Sequence, residues 1–232
     1  MNAAALPQDG SPTDPKAVAE TLTVRVSEIY PSIQGESTHA GRPCVFVRLT
    51  GCPLRCQWCD TAYAFTGGSH RTIASVVTEA RSFGVGLIEV TGGEPLAQKN
   101  AIPLLAALCD TFDEVLLETS GSEPIEGVDP RVARIVDLKA PGSGEVDKNR
   151  FENLSDLRAG DELKIVIADR TDYEWARDTI AQYSPTVPVH FSPVHGVLHP
   201  KALAEWIIED RLTARLQLQQ HKYVWNPEAR GV

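Results

Sequence analysis

Residues 50–61 read Thr50-Gly51-Cys52-Pro53-Leu54-Arg55-Cys56-Gln57-Trp58-Cys59-Asp60-Thr61 and follow directly on Cys44–Leu49 (CVFVRL), an apolar run with the composition of a buried strand. Three of the five cysteines fall in this loop, at C-x3-C-x2-C spacing. Cys44 lies inside the expected strand and Cys109 closes an expected helix, so neither presents itself as a fourth ligand. Thiolates bind soft metals, and iron–sulfur clusters take their ligands from cysteine. A loop this short can wrap three corners of a cubane and leave one iron without a protein thiolate. A catalytic centre needs such an open position; an electron carrier does not. The competing reading is structural zinc, which asks for four ligands, as two C-x2-C pairs or one pair with distant histidines. Here there is one such pair, none of the six histidines is in the loop, and His39 and His70 flank it without that spacing.

Working outward, the chain settles into alternation. Val24 to Ile29 alternate as a half-buried strand does, and a turn-rich stretch follows from Pro31 to Pro43. Further branched apolar segments stand at Leu87–Val90, Val115–Leu117, Ile135–Leu138, Leu163–Ala168, Val187–Phe191 and Leu216–Leu218. Helical patterns fall at Thr72–Phe83, about Ala97–Cys109, Asp172–Tyr183 and Pro200–Leu212. Strands alternating with helices predict parallel pairing through right-handed crossovers. From Cys44 to Gln220 there is room for roughly six units of about 30 residues, short of an eightfold barrel. The expectation is one α/β domain, an open or partial barrel.

Polar clusters follow the strands: Thr91-Gly92-Gly93-Glu94-Pro95, Glu118-Thr119-Ser120-Gly121, Asp137-Leu138-Lys139, Ser192-Pro193-Val194 and Gln219-Gln220-His221-Lys222. In parallel α/β folds the carboxyl ends of the strands form the ligand face, so these clusters are expected to converge with the cysteine loop.

Composition narrows the class. The 232 residues are 42% hydrophobic and 23% charged, ordinary for a globular chain. Net charge is −9, which disfavours nucleic acid or an anionic membrane as the main partner. No apolar run reaches the roughly 18 residues of a membrane span. Residues 1–22 lack the basic start and apolar stretch of an export signal, so they read as a flexible tail on a cytoplasmic protein. An odd cysteine count in that setting is poor material for a disulfide framework.

The motifs carry a resemblance. C-x3-C-x2-C with Trp58 before its third cysteine is similar to the signature of the radical S-adenosylmethionine superfamily, and Thr91 to Pro95 resembles that superfamily's glycine-rich motif. This implies a single-domain partial (β/α)6-type barrel over residues 23–232, with segments at each end contributing to substrate binding. Within the superfamily, several pieces resemble the 7-carboxy-7-deazaguanine synthase family. They are Glu28 to Ser37 (EIYPSIQGES), Arg48, Cys59-Asp60-Thr61, Asp137 to Glu145 (DLKAPGSGE) and Gln220-His221-Lys222.

The resemblance implies roles residue by residue. Cys52, Cys56 and Cys59 would hold a 4Fe–4S cluster whose open iron takes S-adenosylmethionine. Trp58, Cys59, Asp60, Gly93, Asp137, Leu138 and Lys139 would contact that cofactor; taken alone, Lys139 reads equally as a solvated lysine. Ile33, Gln34, Gly35 and Thr91 would line a pterin substrate, and Glu36 would accept from its amino–NH edge. Arg48 shares a strand face with Cys44 and Phe46 and needs a partner there: the substrate's carboxylate by resemblance, a structural salt bridge otherwise. Thr61 is implied as a magnesium ligand and, taken alone, caps a turn.

The implied reaction converts 6-carboxy-5,6,7,8-tetrahydropterin to 7-carboxy-7-deazaguanine with loss of ammonia, a step of queuosine biosynthesis. Arg48 and Glu36 are its expected catalytic side chains. A flavodoxin or ferredoxin would supply electrons, and the family implies a homodimer. The tail Pro227 to Val232 runs on past His221-Lys222, so no contact from a chain-terminal carboxylate is carried over. Two other readings stand beside this one: another enzyme of the superfamily, such as a glycyl-radical activase, and a non-catalytic metal module.

Overall fold

The computed structural model describes residues 19–232. One nine-stranded sheet runs through the chain in the order β3-β1-β2-β4-β5-β6-β7-β8-β9. Its strands are β1 (Thr23–Ile33), β2 (Pro43–Leu49), β3 (Ser69–Thr72), β4 (Leu87–Gly92), β5 (Glu114–Thr119), β6 (Val132–Leu138), β7 (Glu162–Ile167), β8 (Val189–Pro193) and β9 (Arg215–Leu216). From β2 onward each neighbour pairs in parallel, while β1 is antiparallel to both β2 and β3. The linear order leaves the barrel open between β3 and β9.

The helices are α1 (Ile73–Ser82), α2 (Ala101–Cys109), α3 (Arg170–Tyr183), α4 (Pro200–Glu209) and a short α5 (His221–Val224). Thr72 caps α1 by accepting from the Ser75 amide, and Asp169 caps α3 by accepting from that of Asp172. On α1, Ile73, Val76 and Ala80 share the buried stripe that an amphipathic helix turns to a sheet.

Several elements differ from the sequence reading, among them β8, at Val189–Pro193 rather than Val187–Phe191, and β9, at Arg215–Leu216 rather than Leu216–Leu218. β1 runs on through Pro31, which pairs with Val45. A proline is tolerated there because β3 covers β1 only from Thr23 to Val26, leaving its outer edge without a ladder beyond. β3 itself (SHRT) is a polar edge strand with no apolar alternation to announce it. The second expected helix begins at Ala101 rather than Ala97, because Pro95–Ala97 form a 3₁₀ turn capped by Glu94. Only β4, β7 and β8 of the later strands are followed by a full helix. The chain passes from β5 to β6 through a loop rich in glycine and proline, and from β6 to β7 through 3₁₀ turns at Pro141–Ser143, Val146–Lys148 and Phe151–Asp156.

Of the expected tail, residues 1–18 lie outside the described residues. Ala19 and Leu22 pack against the core, and the Ile73 amide donates to the Leu22 carbonyl at 3.0 Å.

The inner face of the sheet sets the site. Side chains alternate across a strand, so Cys44, Phe46 and Arg48 share one face, as do Leu87, Glu89 and Thr91, Leu116 and Glu118, and Ile135 and Asp137. Cys44, Phe46, Leu87, Leu116 and Ile135 form one apolar cluster near the strand starts. Above that floor the same strands present charge. Apolar clusters under the helices bury the opposite face.

Candidate active site

A cavity of about 780 Å³ opens at the carboxyl ends of the strands. Its wall gathers Ile33, Gln34, Gly35, Glu36, Arg48, Cys52, Cys56, Trp58, Cys59, Asp60, Thr61, Thr91, Gly93, Asp137 and Lys139, that is, every expected site residue but one. The exception is Leu138, whose side chain is buried in the core between Val136 and Ala140 while its neighbours face the cavity. Strand alternation sends it outward, so any part it plays is through backbone.

The cysteine loop is held from several sides. The Gly51 amide donates to the Ala64 carbonyl at 2.8 Å, the Gln57 amide to Ser143 at 3.0 Å and the Arg55 amide to the Glu145 carboxylate at 2.5 Å. Gly93 sits so close behind it that a Cβ would stand 2.3 Å from the Gly51 carbonyl and 2.7 Å from Cys52 Cβ. Glycine at 93 is therefore demanded by loop packing as well as by any ligand. Buried Glu94 joins this turn to the end of β5, accepting from the Ser120 amide (2.6 Å) and the Thr119 hydroxyl (2.9 Å). Burial raises the pKa values of Cys52 and Cys56.

Cys44, Cys109, His39 and His70 do not line the cavity. Among the described residues, no three His, Cys, Asp or Glu side chains converge on a point where one ion could sit. A cubane takes one thiolate per iron, so its ligands need not converge, whereas a zinc ion needs all of its ligands around one centre. The donor set fits the cluster.

Arg48 has protein partners in the cavity wall. Its Nε donates to Glu28 Oε1 and its Nη2 to the Tyr30 hydroxyl, both at 2.7 Å, and the Tyr63 hydroxyl donates to the same Glu28 oxygen. No partner among the described residues meets Nη1, which leaves part of the fork available to a ligand.

Lys139 is no solvated lysine: its Nζ lies 2.9 Å from Asp137 Oδ2, and Asp137 Oδ1 is buried without a hydrogen-bond partner. The Thr61 hydroxyl donates to Asp60 Oδ1 at 2.9 Å, so its lone pairs stay free to face a cation.

Sequence reasoning missed a second layer. Buried Lys164 lies 2.5 Å from Glu36 Oε2 and 2.7 Å from Glu118 Oε1, and the Gln34 side-chain Nε2 donates to Glu89 Oε2. Burial opposes charge on Glu36, yet Lys164 outweighs it and lowers the pKa. Burial, reinforced by the nearby charges of Glu118 and Glu36, raises Glu89 well above the usual carboxyl range. The available signal was a charged residue inside a mainly apolar strand: Glu89 in Leu87–Gly92 (LIEVTG) and Lys164 in Glu162–Ile167 (ELKIVI).

The C-terminal segment covers this layer. The Gln219 side chain donates to Glu36 Oε1 at 2.9 Å, and the Gln220 amide to the Gly35 carbonyl at 3.0 Å. A Cβ on Gly35 would fall 2.6 Å from His221 Nδ1, so only glycine lets α5 seat there. Lys222 pairs with Asp60 at 2.6 Å, and residues 226–232 line the cavity with the Arg230 guanidinium 4.1 Å from the Tyr63 ring centre.

An open parallel barrel with a three-cysteine loop at its mouth is the arrangement of one enzyme class, and residues 46–139 match the Radical SAM superfamily. The chain is 48% identical over 215 residues to a 7-carboxy-7-deazaguanine synthase of Chlorobaculum tepidum, a match covering 90% of this chain and 97% of the relative. It is 43% identical over 226 residues to the 7-carboxy-7-deazaguanine synthase of Koribacter versatilis, covering 90% and 100%. Its fold is similar to the crystal structure of QueE from Escherichia coli, with a TM-score of 0.74 at 21% identity over 90% of this chain and 99% of that one. The chain belongs to the 7-carboxy-7-deazaguanine synthase family of radical S-adenosylmethionine enzymes. That family implies a 4Fe–4S cluster and S-adenosylmethionine as cofactors. Among the described residues, no helix is long and apolar enough to cross a membrane.

Proposed function

We propose that this chain converts 6-carboxy-5,6,7,8-tetrahydropterin to 7-carboxy-7-deazaguanine, releasing ammonia. The observation that carries the reading is one cavity joining the cysteine loop to Arg48 and to the Gln34-Gly35-Glu36 turn. Cys52, Cys56 and Cys59 hold the cluster. When bound, cluster and S-adenosylmethionine together supply the one-electron chemistry that takes a hydrogen from the substrate.

The remaining work is positioning. Asp137 and Lys139 present a carboxylate with one free oxygen and an ammonium, a pair suited to the amino and carboxylate groups of a methionyl end. Trp58, Asp60, Gly93 and the Leu138 backbone complete that side. Arg48 meets the substrate carboxylate through its unpartnered Nη1. Glu36 accepts from the pterin's amino–NH edge, while Ile33, Gln34, Gly35 and Thr91 hold the ring. Thr61 offers its hydroxyl to a magnesium ion that keeps most of its other ligands as water and substrate. The C-terminal segment over the cavity keeps bulk water from the reacting carbon.

Residues 23–232 act as one domain, as a homodimer in the cytoplasm, reduced by a flavodoxin or ferredoxin. The test is an anaerobic assay of the reconstituted protein with reductant, S-adenosylmethionine and the carboxytetrahydropterin. Product of the mass of 7-carboxy-7-deazaguanine supports the reading. Cofactor cleavage that needs a protein partner instead would sink it and favour an activase.

A further inference from the structure

Lys164 stands at the centre of the largest buried charge cluster in the cavity, and nothing above gives it a function. Its Nζ lies 2.5 Å from Glu36 Oε2, 2.7 Å from Glu118 Oε1 and 3.9 Å from Asp137 Oδ2. Those carboxylates come from the β1–β2 loop, β5 and β6, so one ammonium gathers three segments around the cavity. Glu36 accepts from Gln219 on Oε1, while its buried Oε2 meets Lys164 as an ion pair without a hydrogen bond and keeps lone pairs for a ligand. Glu118 gives one oxygen to Lys164 and keeps Oε2 without a partner among the described residues.

We propose that Lys164 is a positioning residue for the substrate: its ammonium, anchored on Glu118, fixes the carboxylate of Glu36 so that it faces the cavity as an acceptor. The inference rests on the reading of Glu36 as the acceptor for the pterin's amino–NH edge. Its physical basis is a balance of charge. Glu36, Glu89, Glu118 and Asp137 crowd one volume against Lys164, Lys139 and Arg48, with Asp60 and His221 facing in from the loop and from α5. Glu89, which makes no ion pair, and Glu118, which shares Lys164, are both pushed toward the protonated form by burial and by their neighbours' charges, Glu89 the more strongly. A protonated carboxyl turns a donor toward a substrate N–H that needs an acceptor. Lys164 keeps Glu36 from the same fate.

The test uses reconstituted full-length enzyme and reads KM for the carboxytetrahydropterin, kcat and iron content from about pH 6 to about pH 8.5. Lys164→Met should raise KM roughly tenfold to a hundredfold, the loss expected for a charge-assisted contact. The ratio of variant to wild-type KM should fall as pH rises and the carboxyls ionise, a signature that a merely structural role would not give. Lys164→Arg should restore a ratio near one that does not move with pH. If Lys164→Met does not fold, Lys164→Met with Glu118→Gln, which leaves one fewer unpaired charge, is read by the same criterion. A KM ratio that stays flat with pH in Lys164→Met, or in the double variant where that one is needed, overturns the inference. Glu36→Gln separates the layers: unchanged KM there overturns the reading of Glu36, whereas raised KM there with unchanged KM in Lys164→Met overturns the role of Lys164 alone.

Discussion

Two buried ionic networks sit at opposite ends of the same barrel, and they are finished to different degrees. Near the strand starts, Arg134 on β6 donates to both Asp161 oxygens, to the Ile125 carbonyl (3.0 Å) and to the Asp156 carbonyl (2.6 Å), with both ion-pair side chains almost wholly buried. Asp161 takes further hydrogen bonds from the Arg134 and Arg158 amides. That network is closed, and neither residue lines the cavity. At the carboxyl ends, Lys164, Glu36, Glu118, Asp137 and Lys139 are less deeply placed, Asp137 Oδ1 has no partner, and the group faces about 780 Å³ of space. A satisfied buried pair holds segments together; an unsatisfied one beside a cavity is prepared for something that arrives later.

The comparison can be broken from either end. The largest effect belongs to the cysteine loop: Cys56→Ala should abolish iron–sulfur absorbance and turnover together while the thermal transition of the apoprotein stays where it was. Next comes the closed network. Arg134→Ala strands Asp161 and should cost about 3–5 kcal/mol, seen as a fall in Tm of roughly 6–20 °C. An Arg134→Ala protein as stable as wild type would erase the distinction drawn here.

Arg48→Ala should behave in the opposite way, keeping cluster and fold but losing roughly tenfold to a hundredfold or more in kcat/KM with the carboxylated substrate. Normal turnover would reduce Arg48 to a partner of Glu28. The smallest effect is expected at the Lys222–Asp60 tie. Burial pushes the Asp60 carboxyl up, but Lys222 more than reverses this and holds it at about 2. A depressed carboxyl keeps its contribution above its unfolded pKa and loses it as pH falls through the folded one. The tie should therefore persist across neutral and mildly acidic pH and fail only near pH 2. Because Asp60 is partly exposed, Lys222→Met should speed proteolysis of the C-terminal segment no more than about fivefold. Pre-steady cleavage rates followed by intact mass check this.

Much of the fold could be read before any coordinates, because parallel strands buried on both faces announce themselves as short branched apolar runs. β4, β5 and β6 fall where those runs are. What escaped was β3, whose four polar residues pair only because β1 offers an edge, and the true length of β1, where Pro31 belongs to a strand. The site divides in the same way. The cysteines, Gly93 and Arg48 are visible because spacing and residue type already carry their chemistry. Lys164 and Glu89 were hidden, since a charged residue inside a mainly apolar strand does not say which face of the sheet it occupies or what meets it there, and Glu118 was visible only as one member of a polar cluster at a strand end.

Taken by itself, the order of residues determined the number and direction of the parallel strands, the three-thiolate loop and the polar turns at the strand ends. These depend on local composition and on the alternation of side chains along a strand. Only the tertiary structure decided which carboxylates share Lys164 and that Gly35 is the seat of His221. Each of those depends on segments more than 25 residues apart, or on the twist that assigns a side chain to one face of a curved sheet, and no local pattern records either.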